Sequence, residues 1–113
     1  MKSKKQAPAS RRTKLPRNYD YSNKFLTDWK RLQNSGRRDM AALKKAMLLL
    51  LANDGPLPSE YKDHQLSGNL GKYRECHIGG DFLLLYELRG DSEVIFVRAG
   101  SHADLFERSE AHV

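Results

Sequence analysis

Three histidines, an aspartate and an arginine stand in the second half of the chain, where apolar runs begin or end: His64, His77, Asp81, Arg98 and His102. These residue types are the ones that cleave RNA without help. A base takes the proton from a 2′-OH, a cation stabilises the phosphorane-like charge, and an acid protonates the leaving 5′-oxygen. Imidazole titrates near neutrality and suits the first and third tasks, and a guanidinium or ammonium suits the second. Each residue also has a plainer use. A lone surface histidine is usually only polar, Asp81 beside Gly79-Gly80 has the form of a turn, and Arg98 can pair with Asp81 or Glu75 to hold a sheet together. Convergence at strand ends and on one connecting loop is what favours chemistry.

Other chemistries fit less well. Three histidines and an aspartate also allow a metal-dependent hydrolase, but none of the three sits in a short-spaced pair such as a two-turn His motif, so no metal and no cofactor are expected. There is no glycine-rich phosphate cradle, no nucleophile elbow and no zinc knuckle, and Glu75 and Glu93 do not form a paired-carboxylate pattern.

The elements that must position these groups can be read in order. Ser22 is placed to cap a helix with Phe25, Leu26, Trp29 and Leu32 on one stripe, and Asn34-Ser35-Gly36 ends it. Asp39 caps a second helix with Met40, Leu43, Met47, Leu50 and Leu51 at helical spacing, stopped by Asn53-Asp54-Gly55-Pro56. Both stripes read as core. A short strand near 17–21 precedes them. A polar loop, 59–72, leads into three strands over 73–78, 82–89 and 93–100, separated by Gly79-Gly80 and Gly90-Asp91-Ser92, and a final helical turn over 101–106 has Ser101 as its cap. The expected fold is α+β, with two N-terminal helices on one face of a small twisted antiparallel sheet.

Turn parity assigns the faces, because side chains alternate along a strand. A two-residue Gly79-Gly80 loop sets His77 opposite Phe82, and a three-residue Gly90–Ser92 loop sets Arg98 beside Leu84. Cys76, Ile78, Leu83, Leu85, Ile95 and Val97 then form an apolar floor for the helices. His77, Phe82, Tyr86, Phe96 and Arg98 form an open aromatic and basic face, suited to single-stranded nucleic acid.

Composition agrees with a single basic domain. The chain has 113 residues, 39% of them apolar, and a formal charge of +6, which favours a polyanionic partner. Residues 1–16 read as a flexible basic arm, 17–106 as the domain and 107–113 as a tail. Before Asp20 there are seven positive residues and no acid. The single Cys76 cannot form an internal disulfide and reads as buried and inert. No signal peptide or membrane span is evident, so a cytoplasmic protein is expected.

A set of residues now resembles a known family. Tyr61-Lys62-Asp63-His64, Leu66 with Gly68, Tyr73-Arg74 with His77, Asp81 followed by an aromatic, Tyr86, and Arg98 with Gly100, His102, Leu105 and Phe106 resemble the RelE/ParE superfamily of type II toxins, in particular its YafQ branch, over roughly 17–106. The resemblance implies a RelE-like α+β fold and ribosome-dependent cleavage of mRNA in the A site, through 2′-OH attack without metal. It implies catalytic roles for His64, His77, Asp81, Arg98 and His102, and substrate contacts from Lys62, Arg74, Phe82, Tyr86 and Phe106. It also implies a cognate antitoxin that covers the basic face. Phe82 stands where the family often has Trp. The alternative is a non-enzymatic ParE-like toxin that binds a protein target such as gyrase.

Overall fold

The computed structural model describes residues 14–107; the arm up to residue 13 and the tail from residue 108, including His112, lie outside the described residues. The strand order is β1-β5-β4-β3-β2, with β1 (Asn18–Tyr21) parallel to β5 (Glu93–Ser101) and the other neighbours antiparallel. β3 is Tyr73–Gly79, β4 Phe82–Arg89 and β2 His64–Gln65, and helices α1 (Asn23–Ser35) and α2 (Met40–Ala52) cover one face. The α+β architecture is as expected, but the sheet is mixed, because β1 runs alongside β5 before the chain turns into α1. The expected polar loop over 59–72 holds β2 and two 3₁₀ turns, Ser59–Tyr61 and Gly68–Leu70.

Local sequence signals act where expected. Ser22 Oγ accepts the Phe25 amide at 2.9 Å and donates to the Val97 carbonyl at 2.6 Å, so one hydroxyl both caps α1 and ties it to β5. Gly36 closes α1 in the left-handed conformation, and Asp39 Oδ1 caps α2 by accepting the Ala42 amide at 3.0 Å. The stripe of α1 differs from expectation at two positions: Leu26 is exposed and Asp28 is buried between Phe25 and Leu32. Ordered contacts also begin inside the expected arm. Lys14 pairs with Asp91, and the Leu15 carbonyl accepts from Asn53.

The helices cover the opposite face from the one turn parity assigned. Phe25, Leu43, Ala46 and Leu50 pack on Cys76, Phe82, Leu84, Tyr86 and Phe96, while Leu83, Leu85, Ile95 and Val97 lie on the other side with Leu66, Tyr73, Leu105 and Phe106. Two irregularities also shift β3 and the end of β5 against the expected parity. The first hairpin turns on Gly80-Asp81, so Gly79 opposes Phe82, and a bulge before it sets His77 opposite Leu83. The three-residue second loop holds, pairing Arg89 with Glu93 and Tyr86 with Phe96, but a bulge at Val97 then pairs Leu85 with Arg98. His77 therefore shares a face with Leu83 and Leu85, and Phe82 and Tyr86 belong to the helix-covered core.

Candidate active site

The face turned away from the helices collects the acid–base groups. Across β2, β3, β4 and β5 the register runs His64, Glu75, Leu85 and Arg98, with His77 two residues along β3 from Glu75. Glu75 is buried, and its Oε1 lies 3.4 Å from His64 Nε2 and 3.7 Å from His77 Nε2, so one carboxylate oxygen sits between two imidazoles. Lys62, in the left-handed conformation at the end of a 3₁₀ turn, brings its carbonyl to 2.8 Å from His64 Nδ1. A carbonyl only accepts, so that contact assigns a proton to Nδ1 and leaves Nε2 facing the carboxylate. The two histidines and the carboxylate thus lie in one row, with Glu75 as their shared neighbour.

The hairpin turn and the C-terminal turn close one end of this face. Asp81 Oδ1 accepts the His102 amide at 3.1 Å, and Ser101 Oγ accepts the Asp104 amide at 3.0 Å, capping the turn Ala103–Glu107 as expected. The His102 ring packs against Phe106 with centroids 4.9 Å apart, and Leu105 is fully buried against the Leu83–Leu85 cluster. The structure therefore joins Asp81, His102 and Phe106, and separately joins His64 and His77 through Glu75.

Three expected site residues, Phe82, Tyr86 and Arg74, take other places, and Arg98, at the end of the row, is buried in an ion pair. Phe82 is 2% exposed in the core under Arg38, whose guanidinium lies 5.3 Å from the ring centroid, so it offers no stacking surface. Tyr86 and Arg74 meet Asp63 on the helix side: the Tyr86 hydroxyl donates to Oδ1 at 2.5 Å and Arg74 Nη2 donates to Oδ2 at 3.1 Å. Burial first, and then the Asp63 carboxylate, push the Tyr86 phenol pKa upward. Tyr86 and Arg74 also line a cavity of about 500 Å³ with Arg17, Asn53, Leu57 and Leu88, behind the sheet. Arg98 is buried, and its Nε and Nη2 donate to Asp28 Oδ2 and Oδ1 at 2.6 and 3.1 Å. Turn parity placed Phe82, Tyr86 and Arg98 on the open face, whereas the substrate contact expected of Arg74 came from the family resemblance; the bulges in β3 and β5 shift those strands against that parity.

Glu75, Asp28 and Asp63 hold contacts with expected site residues that the sequence reading did not assign to them. Glu75 had a usable signal, because it lies two residues from His77 and must share its face. Asp28 had one too, since an acid between Phe25 and Leu32 on an apolar stripe demands a buried cation. Asp63 had none, because its partners are set by the fold of the connecting loop.

Fold and face define a small α+β domain with histidine and carboxylate side chains on one side of its sheet and a helix-covered core on the other. Known proteins share this arrangement. The family model for the bacterial toxin of the type II toxin–antitoxin system, YafQ, matches residues 17–107. The mRNA interferase toxin YafQ of Escherichia coli K12 is 41% identical over 92 residues, which span 81% of this chain and 98% of that protein. The putative toxin YafQ of Haemophilus influenzae is 36% identical over 73 residues, 64% of this chain and 72% of its own. The crystal structure of the E. coli DinJ–YafQ toxin–antitoxin complex matches with a TM-score of 0.73 at 40% identity, covering 81% of this chain and 99% of that one. The chain belongs to the YafQ family of type II toxin–antitoxin toxins.

Proposed function

We propose that this protein is an mRNA interferase that acts on messenger RNA in the ribosomal A site. The observation that carries the reading is the Glu75 carboxylate held between His64 and His77, with His102 and Asp81 at the end of the same face. In this reading one imidazole removes the 2′-OH proton and another protonates the leaving 5′-oxygen, while Glu75 and Asp81 hold the rings and the C-terminal turn in place. Arg98 supplies positive charge for the phosphorane from the same cross-strand row as Glu75. Two strand spacings separate the two residues, roughly 10 Å between backbones. Lys62 lies exposed beside His64 as a further phosphate contact, and Phe106 presents a partly buried ring beside His102. The reaction needs no metal in this scheme, because imidazoles handle both protons.

The partner readings follow from kinship. A relative is seen in complex with an antitoxin, and we propose that a cognate antitoxin masks this chain as well. The net charge of +6 suits both ribosomal RNA and an acidic inhibitor. Among the described residues no helix is long and apolar enough to cross a membrane, in keeping with a cytoplasmic site of action.

The test is to incubate the protein with translating ribosomes and map mRNA ends. Cuts ending in a 2′,3′-cyclic phosphate, insensitive to EDTA and lost in His77→Ala and His102→Ala, are expected. Absence of cuts with growth arrest intact would favour a protein-binding toxin, and inhibition by EDTA would favour a metal enzyme.

A further inference from the structure

Asp28 lies on α1, remote in sequence from every acid–base group, yet it is 3% exposed and its two oxygens are shared among four donors. Arg98 Nε and Nη2 donate at 2.6 and 3.1 Å, the Ala99 amide donates to Oδ2 at 3.0 Å, and Arg31 Nη2 donates to Oδ1 at 3.1 Å. The Ala99 contact has a plain cause. β1 accompanies β5 only as far as Phe96, and Ser22 turns the chain away there, so the next stretch of β5 edge is satisfied by a side chain of α1. The network then continues outward. Arg31 Nη1 reaches Asp104 Oδ2 at 3.3 Å, and Asp104 belongs to the turn that carries His102 and Phe106. Gly100 shows how tightly the joint is closed, since a Cβ there would stand 3.3 Å from Asp104 Oδ2 and 3.4 Å from Arg31 Nη2.

We infer that Asp28 is a positioning residue of the site, which fixes Arg98 by a two-point contact and, through Arg31 and Asp104, fixes the turn bearing His102 and Phe106. The inference rests on the nuclease reading for its kinetic consequence, but not for its structural one. A guanidinium gripped by both edges of a carboxylate has one orientation, and a charge preset in orientation stabilises a transition state without reorganising. Asp28 also sets the distance between that charge and the C-terminal turn, because the same carboxylate holds Arg98 and Arg31.

Asp28→Asn removes the charge and keeps the shape. For cleavage on translating ribosomes it should lower kcat by about tenfold or more while KM moves by less than about threefold. Amide hydrogen exchange gives a readout independent of activity. The Ser101, His102 and Asp104 amides should exchange about tenfold faster in Asp28→Asn, while Leu84 and other β4 amides keep parental protection. Arg31→Gln, at a partly exposed position, should speed exchange in the same turn and spare β4, which covers the case in which Asp28→Asn does not fold. Uniform acceleration throughout the sheet, or unchanged exchange in the turn, would overturn the inference. If the parent protein makes no cuts, the nuclease reading fails, and the exchange data still decide whether Asp28 positions the turn.

Discussion

Replacing Tyr86 by Phe separates a substrate-facing tyrosine from a core tyrosine, and the structure makes a quantitative forecast. The Tyr86 hydroxyl donates to Asp63 Oδ1 at 2.5 Å and receives Arg74 Nε at 3.3 Å, at a ring that is 1% exposed. A hydrogen bond to a charged acceptor contributes about 1.5–3 kcal/mol. Asp63 keeps its Arg74 contact in the variant, at a guanidinium still 30% exposed, so the loss should fall near the middle, about 2 kcal/mol. For a domain of this size that lowers the melting temperature by roughly 10 °C. Urea unfolding at pH 7, followed by Trp29 fluorescence, measures the loss. Cleavage assayed well below the transition should stay within about twofold of parent, since the residue faces α2 and not the histidines. The alkaline limb gives a second check. Below the ordinary tyrosine pKa of 10.0 the phenol is neutral in both states and its full contribution is present. As pH rises above that value the unfolded chain ionises first, so stability falls by about 1.4 kcal/mol per pH unit for this group. The Phe variant should lack that slope. A Tyr86→Phe protein as stable as the parent but inactive would refute the assignment of faces.

Three further outcomes follow from particular contacts. Arg98→Ala should cost about 3 kcal/mol, the low end for stranding one member of a buried ion pair, because Asp28 retains Arg31 and the Ala99 amide; an unfolding free energy within about 0.5 kcal/mol of parent would show that the pair is not formed in solution. Loss of toxicity in this variant therefore has to be corrected for unfolding. Cys76 is fully buried, and burial followed by the charges of Asp63 and Glu75 pushes its thiol up to about 12; alkylation by iodoacetamide at pH 8 should proceed only through unfolding and accelerate with urea, whereas rapid labelling of native protein would contradict the core placement. Gly100→Ala should destabilise by about 1–3 kcal/mol through overpacking, and the Arg31→Leu/Asp104→Ala background should recover part of that loss; a neutral single substitution in thermal melts would mean that the joint has slack.

Much of the fold was legible because local rules and tertiary structure agree there. Ser22, Gly36, Asp39 and Ser101 end or begin helical segments for reasons contained in their own side chains, and the glycine-punctuated meander follows from short turns between apolar runs. The sides of the sheet were not legible, because parity carries a single error through every later position. The grouping of Leu83, Leu85, Ile95 and Val97 survived, as did that of Phe82, Tyr86 and Phe96, since both depend only on alternation within β4 and β5. What failed was the attachment of β3 to them, decided by one bulged residue between His77 and Gly79. That residue turns Cys76 toward the helices and leaves Glu75 and His77 on the opposite face, which is the difference between a buried histidine and an accessible one. The bulge at Val97 acts likewise on the other side of β4, since it brings Arg98 into line with Leu85, in the row that ends on Glu75 and His64, where Asp28 can grip it. Both irregularities lie at the end of the sheet that bears the acid–base groups. Bulges re-aim side chains at the cost of regular pairing, so alternation fails in the stretches that gather the residues proposed for the chemistry.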